Sequence, residues 1–298
     1  MGIKKAFLFP GQGSQYVGMA KDLLPIGELA EVRFKMAKKV LQFDILEIML
    51  EGSAEDLQQT AVTQPAIFLH ATILAEALGI AKEANMVAGH SLGEFSALVC
   101  AGVLQFEEAL ILVRERAFAM QEACEQNPGT MAAVMGLEDE VVENICLQID
   151  GTVVPANYNA PGQLVISGKR ESVYLAVEAA KQKGARLVKE LSVGGAFHSP
   201  LMQPAQERLR KAIEQFSFCK PLFPVYQNVT GLPETDPSRI KEQLLAQLTS
   251  PVKWKQTIEQ MAKNGAESLI EVGPGKVLQG LAKKITPQIR AESIQSIT

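Results

Sequence analysis

The chain opens on a short run, Lys4 to Phe9 (KKAFLF), apolar from Ala6 onward and stopped by Pro10 and the glycine turn PGQGSQ. A run of that length bounded by turn residues predicts a strand buried on both faces. Apolar positions then recur at helical spacing over residues 18–24, 28–42 and 65–79. The last of these predicts a helix with Pro65 at its first position and Gly79 closing it. Met86–Ala88 predicts a second short strand, Glu94–Ala101 a helix capped by Gly102, and residues 106–126 a long helix ended by Asn127-Pro128-Gly129.

From residue 130 the texture changes. Strand 130–137, helix 138–149, strands 152–159 and 163–168, helix 170–183 and strand 186–193 follow in βαββαβ order, the ferredoxin-like signature. Helix and strand patterns then resume: helix 200–216, strand 222–226, helices 238–248 and 253–264, strand 267–271 and helix 276–285. The expected architecture is a large α/β core with a parallel sheet, built by residues 1–127 and 195–298, and a small ferredoxin-like subdomain over 128–194. No repeat of the solenoid kind interrupts this order.

Composition narrows the function classes. The 298 residues are 47% hydrophobic and 21% charged, which fits a globular chain rather than a disordered or fibrous one. The net charge of −4, with no basic tail, disfavours a nucleic-acid partner. Ala6 to Phe9 is too short for a leader core or a membrane span, so neither is expected. Gly2 invites a myristoylation reading, but residue 6 is Ala rather than Ser or Thr. Cys100, Cys124, Cys146 and Cys219 lie far apart without a CxxC pair, as reduced and mostly buried thiols of a cytoplasmic protein would. With histidines only at 70, 90 and 198, no metal site is expected.

The strongest chemical signal is Gly89-His90-Ser91-Leu92-Gly93, a G-x-S-x-G between a predicted strand and a predicted helix. A sharp strand-to-helix turn lifts a serine hydroxyl off the sheet edge and sets it at a helix N-terminus, where negative charge is stabilised. This placement makes the core α/β-hydrolase-like. The plainer alternative is a glycine-rich helix start with Ser91 as N-cap. A serine needs a base. His70 lies in an apolar helix, and His90 diverges from its neighbour on such a turn. His198, in the small-residue loop Val193–Pro200, is the base by elimination.

Taken together, FPGQGSQ (9–15), TQPAIF (63–68), GHSLGE (89–94), Arg116, ANYNAPGQ (156–163), GAFHSP (195–200), SPVKW (250–254) and EVGPG (271–275) resemble the malonyl-CoA:acyl carrier protein transacylases of dissociated fatty-acid synthesis. The pieces occur in that family's order and span nearly the whole chain. The resemblance implies an acyl-enzyme on Ser91, with the backbone N–H groups of Gln12 and Leu92 as oxyanion hole. It implies that a backbone carbonyl, that of Gln247 or else of Thr249 or Ser250, holds His198. It makes Arg116 the grip on the malonyl carboxylate and Phe197 the mark of a malonyl-type pocket; Arg114, two residues from the grip, reads as solvated. Asn157 and Asn159 are candidates for the active-site wall and, equally, for turn hydrogen bonds.

The implied partners are malonyl-CoA and an acyl carrier protein, with no bound cofactor and a monomeric chain. Because carrier proteins are acidic, Lys181, Lys183, Arg186 and Lys189 are candidates for a docking patch, although a solvated helix face explains them more simply. Three rivals remain open. A serine hydrolase or thioesterase would use the same Ser91–His198 pair with water as acceptor. A non-turnover module would only bind acyl carriers. The same transferase could also supply polyketide synthesis.

Overall fold

The computed structural model describes residues 2–297. Its main sheet has six strands in the order β10-β9-β1-β2-β7-β8. In chain order these are β1 (Lys5–Phe9), β2 (Met86–Gly89), β7 (Val225–Tyr226), β8 (Pro233–Glu234), β9 (Ser268–Val272) and β10 (Arg290–Ile294). All neighbours pair in parallel except β7 with β8. Central strands β1, β2 and β9 are apolar runs because helices cover both faces. Phe7 and Phe9 are at most 1% exposed on one side, as are Ala6 and Leu8 on the other. Each fully buried Phe or Leu contributes about 1.5–3 kcal/mol.

The second sheet is antiparallel, in the order β4-β5-β3-β6. Its strands are β3 (Gly129–Met135), β4 (Val153–Ala160), β5 (Gln163–Lys169) and β6 (Leu187–Glu190). The helices Asp139–Gln148 and Arg170–Gln182 cover one face through Val142, Ile145, Val173 and Ala176. This is the ferredoxin-like order, with sequence neighbours β4 and β5 at one side. Its other face looks toward the main body: Met131, Ala133 and Val165 join the large core.

Several elements differ from the pattern reading. Residues 18–24 do not make an α-helix; they form two 3-10 turns, Met19–Asp22 and Leu24–Ile26, because Gly18 is left-handed, Pro25 interrupts and Gly27 has φ 72°. The helix expected from Pro65 begins at Thr60 and runs to Ala77, with Pro65 inside it. Every residue from Thr60 to Ala75 is buried, and that burial outweighs the hydrogen bond the proline cannot make. The strand expected over 222–226 contracts to Val225–Tyr226, since Pro221 and Pro224 have no N–H to give a ladder. Helices Ile45–Glu51 and Ala54–Gln58, and strands β8 and β10, were not anticipated.

Candidate active site

The site forms where β1 and β2 end. After Gly89 the chain turns into the Gly93–Cys100 helix, and Ser91 sits on that turn with φ 51°. Such left-handed backbone costs a non-glycine residue about 1–3 kcal/mol and persists only where surroundings enforce it. Here the two flanking glycines do so. A Cβ on Gly89 would lie 1.9 Å from the Gly93 carbonyl, and one on Gly93 would lie 2.0 Å from the Phe9 oxygen. Asn228 fixes the turn from the other side: its Oδ1 accepts from the Ser91 N–H at 2.6 Å and its Nδ2 donates to the Gly89 carbonyl at 2.7 Å.

His198 also has positive φ, 56°. Its Nε2 stands 2.8 Å from Ser91 Oγ, and its Nδ1 stands 2.9 Å from the Gln247 carbonyl oxygen. That carbonyl fixes the tautomer: Nδ1 carries the proton and Nε2 is free to accept one. Burial, followed by the nearby Arg116 charge, pushes the imidazole down to about 3, so it is neutral at physiological pH with Nε2 unprotonated. His90 points elsewhere, with its Nε2 against Asn159 Oδ1 at 2.9 Å and its ring 5.4 Å from that of Trp254. His70 is fully buried within its helix, 3.4 Å from Asp22.

Arg116 comes from the middle of the Phe106–Gln126 helix and is 1% exposed. Its Nη1 donates to Gln64 Oε1 at 2.7 Å, and its Nη2 donates to Ser91 Oγ and Gln247 Oε1, each at 3.0 Å. Nε has no partner among the described residues. Burial lowers this guanidinium to about 10, still charged at neutral pH. Arg114 turns away as expected, but it is not simply solvated: it pairs with Glu115 and donates to the Val40 carbonyl.

A cleft of about 290 Å³ opens over the serine, lined by Gln12, Gly13, Ser91, Leu92, Arg116, Met120, Asn157, Phe197 and His198 among others. Gln12 is presented by the turn after β1, where Gly11 packs so closely that a Cβ would lie 2.3 Å from the His90 oxygen. Asn157 reaches this lining and Asn159 does not; it braces His90 from behind. Three participants carried no role in the sequence reading. Gln64 holds Arg116, Asn228 clamps the serine turn, and Glu94 accepts from Gln247 Nε2 at 2.9 Å and the Asn228 N–H at 3.1 Å. Gln64 and Glu94 fall inside motifs noted above, whereas Asn228 lies in a stretch (QNVT) with no signal.

A neutral, carbonyl-held imidazole on an elbow serine can make and break a serine ester, and on this sheet that places the chain among α/β enzymes of covalent acyl chemistry. Residues 6–296 match the family model described as an acyl transferase domain, and the chain belongs to that family. It is 43% identical over 299 residues to a malonyl CoA-acyl carrier protein transacylase of Staphylococcus aureus strain MW2, covering 99% of this chain and 96% of that one. An acyl carrier protein S-malonyltransferase from Vibrio cholerae superposes with a TM-score of 0.94 at 41% identity, over 99% and 97% of the two chains. So does a malonyl-transacylase in complex with a type II polyketide synthase acyl carrier protein, with a TM-score of 0.94 at 38% identity over 98% and 96%.

Proposed function

We propose that this enzyme moves a malonyl group from malonyl-CoA to the phosphopantetheine thiol of an acyl carrier protein, in fatty-acid biosynthesis, through an ester on Ser91. One observation carries the choice of acyl group: the charged Arg116 is buried in the cleft, 3.0 Å from the nucleophile, with no carboxylate in ion-pair contact among the described residues. Its hydrogen bonds run to the neutral oxygens of Gln64, Ser91 and Gln247, and a substrate carboxylate docking on it would gain a direct, charge-assisted ion pair. The names of the relatives support both donor and acceptor.

In the first half-reaction His198 Nε2 takes the Ser91 proton while Oγ attacks the thioester carbonyl. The oxyanion is received by the Gln12 and Leu92 N–H groups; one such donor is typically worth about 3–4 kcal/mol. The C–S bond then breaks, and the imidazolium gives its proton to the coenzyme A sulfur. In the second half, the carrier's thiol passes its proton to His198, attacks the ester carbonyl and leaves with the malonyl group as Ser91 is reprotonated. Arg116 holds the carboxylate throughout, and Phe197 bounds the pocket. No cofactor takes part.

The carrier would meet the exposed Lys183, Arg186 and Lys189 beside β6; Lys181 is engaged by Glu178 at 2.7 Å. We place the reaction in the cytoplasm, where the four thiols stay reduced, and take one chain as the working unit, since every group named comes from it. Supply of a polyketide carrier is the same chemistry, and the likeness to the polyketide complex favours it as a second reading. A hydrolase reading loses ground because a carbonyl, not an acid, orients His198. Product partition tests the proposal. Malonyl-CoA and holo carrier protein should give mainly malonyl-carrier, whereas free malonate as the main product with carrier present would overturn it.

A further inference from the structure

A buried ionisable group beside the pocket has no part in the proposed mechanism. Glu94 opens the helix behind Ser91, is 1% exposed, and lies two hydrogen bonds from the substrate pocket. Arg116 donates to Gln247 Oε1, and the same amide donates through Nε2 to Glu94 Oε2 and to the Ser91 carbonyl. The other carboxyl oxygen, Oε1, is buried without any partner among the described residues. Among the described residues the charge acting on Glu94 is that of Arg116; Gln247 and the Asn228 N–H face it as neutral donors, and burial keeps His198 neutral.

We propose that Glu94 is the counter-charge of the empty site and takes up a proton when the substrate carboxylate docks on Arg116. The inference rests on Arg116 being the malonyl grip. Before binding, one buried cation and one buried carboxylate balance. A malonyl carboxylate adds a second anion, and an uncompensated charge in a dry interior is expensive. Glu94 can shed it, because its free Oε1 accepts a proton without breaking either existing hydrogen bond. The proton comes from buffer and none is transferred to the substrate, so Glu94 is a positioning and charge-balancing residue rather than a catalytic one. Burial already holds this carboxyl up at about 7, poised for such a response.

The test is calorimetric titration of malonyl-CoA into Ser91→Ala protein at pH 7.5, in buffers of different ionisation enthalpy. Acetyl-CoA is titrated in parallel, since it carries the same coenzyme without the carboxylate. We expect malonyl-CoA to draw roughly half to one proton more than acetyl-CoA does, and no such difference in the Ser91→Ala/Glu94→Gln double variant. Equal uptake with the two thioesters, or the same excess in both proteins, overturns the proposal. If the double variant does not fold, Ser91→Ala alone decides. Its preference for malonyl-CoA over acetyl-CoA should rise several-fold from pH 8.5 to 7, and a flat ratio overturns the idea. Unchanged malonyl-CoA affinity in Ser91→Ala/Arg116→Ala would instead show that Arg116 is not the grip, a failure of the underlying reading rather than of the proton step.

Discussion

Arg116 Nη2 donates to Ser91 Oγ across 3.0 Å, so the guanidinium proposed to hold the substrate carboxylate touches the serine hydroxyl itself. The same oxygen lies 2.8 Å from His198 Nε2. A thioester whose carbonyl is at Ser91 therefore brings a carboxylate carried one methylene away within reach of the guanidinium.

Arg116→Ala should accordingly separate the two substrates. Losing two charged hydrogen bonds of about 1.5–3 kcal/mol each predicts a fall in kcat/KM for malonyl-CoA of roughly 10²-fold or more. The value for acetyl-CoA should change less than about tenfold. Equal losses for both would mean that the guanidinium supports the serine and does not select the acyl group.

His198 should remain an unprotonated base well into the acid range. Its burial depresses it to about 3, whereas an ordinary imidazole titrates near 6.5. Labelling of Ser91 by a neutral sulfonyl fluoride should thus stay nearly constant from pH 8 to pH 5. An unperturbed imidazole would lose about 30-fold over that span. A midpoint near 6.5 in the labelling rate would contradict the buried, neutral base.

Glu271 is a cost that substitution can remove. It is fully buried at the end of β9; one oxygen accepts the Gln279 N–H at 2.8 Å and the other has no partner among the described residues. Burial raises it from 4.5 to about 7. A raised carboxyl favours the fold when protonated, so its penalty is absent below 4.5, grows as pH rises through 7 and is full at pH 8. Glu271→Gln should raise stability at pH 8 by about 1–3 kcal/mol, with the gain shrinking toward pH 4.5. Thermal melts at the two pH values check the sign.

Gly93→Ala tests the serine turn. The new methyl would lie 2.0 Å from the Phe9 oxygen, at the joint between β1 and the turn, and neither backbone segment is free to retreat. The expected result is loss of about 3 kcal/mol or more, or failure to fold. Gly13→Ala meets no atom within 4 Å and has only its φ of 102° to contend with, so it should cost less. Chemical denaturation of the two variants ranks them.

Local pattern carried much of this molecule, and long-range pairing carried the rest. Ser91 was legible because a glycine pentapeptide between strand and helix has a local geometric meaning, and the 106–126 helix because its helical pattern is sustained over 21 residues. Strand β10 was missed because RAESI is short and largely polar; it forms only by lying beside β9. The helices Ile45–Glu51 and Ala54–Gln58 are too short for periodicity, although Asp44 and Ser53 cap them in ways that Asp44-x-x-Glu47 and Ser53-x-x-Asp56 announce. Asn228 was beyond reach for a different reason. It clamps a residue 137 positions away, and nothing in its own neighbourhood records that.

Intact-mass analysis after brief exposure to malonyl-CoA, followed by holo carrier protein, decides whether the malonyl group passes through Ser91. One added malonyl group is expected, absent in Ser91→Ala and removed when the carrier arrives as malonyl-carrier accumulates. An unmodified chain that nonetheless forms malonyl-carrier, or an adduct that persists in Ser91→Ala, would contradict transfer through the Ser91 ester.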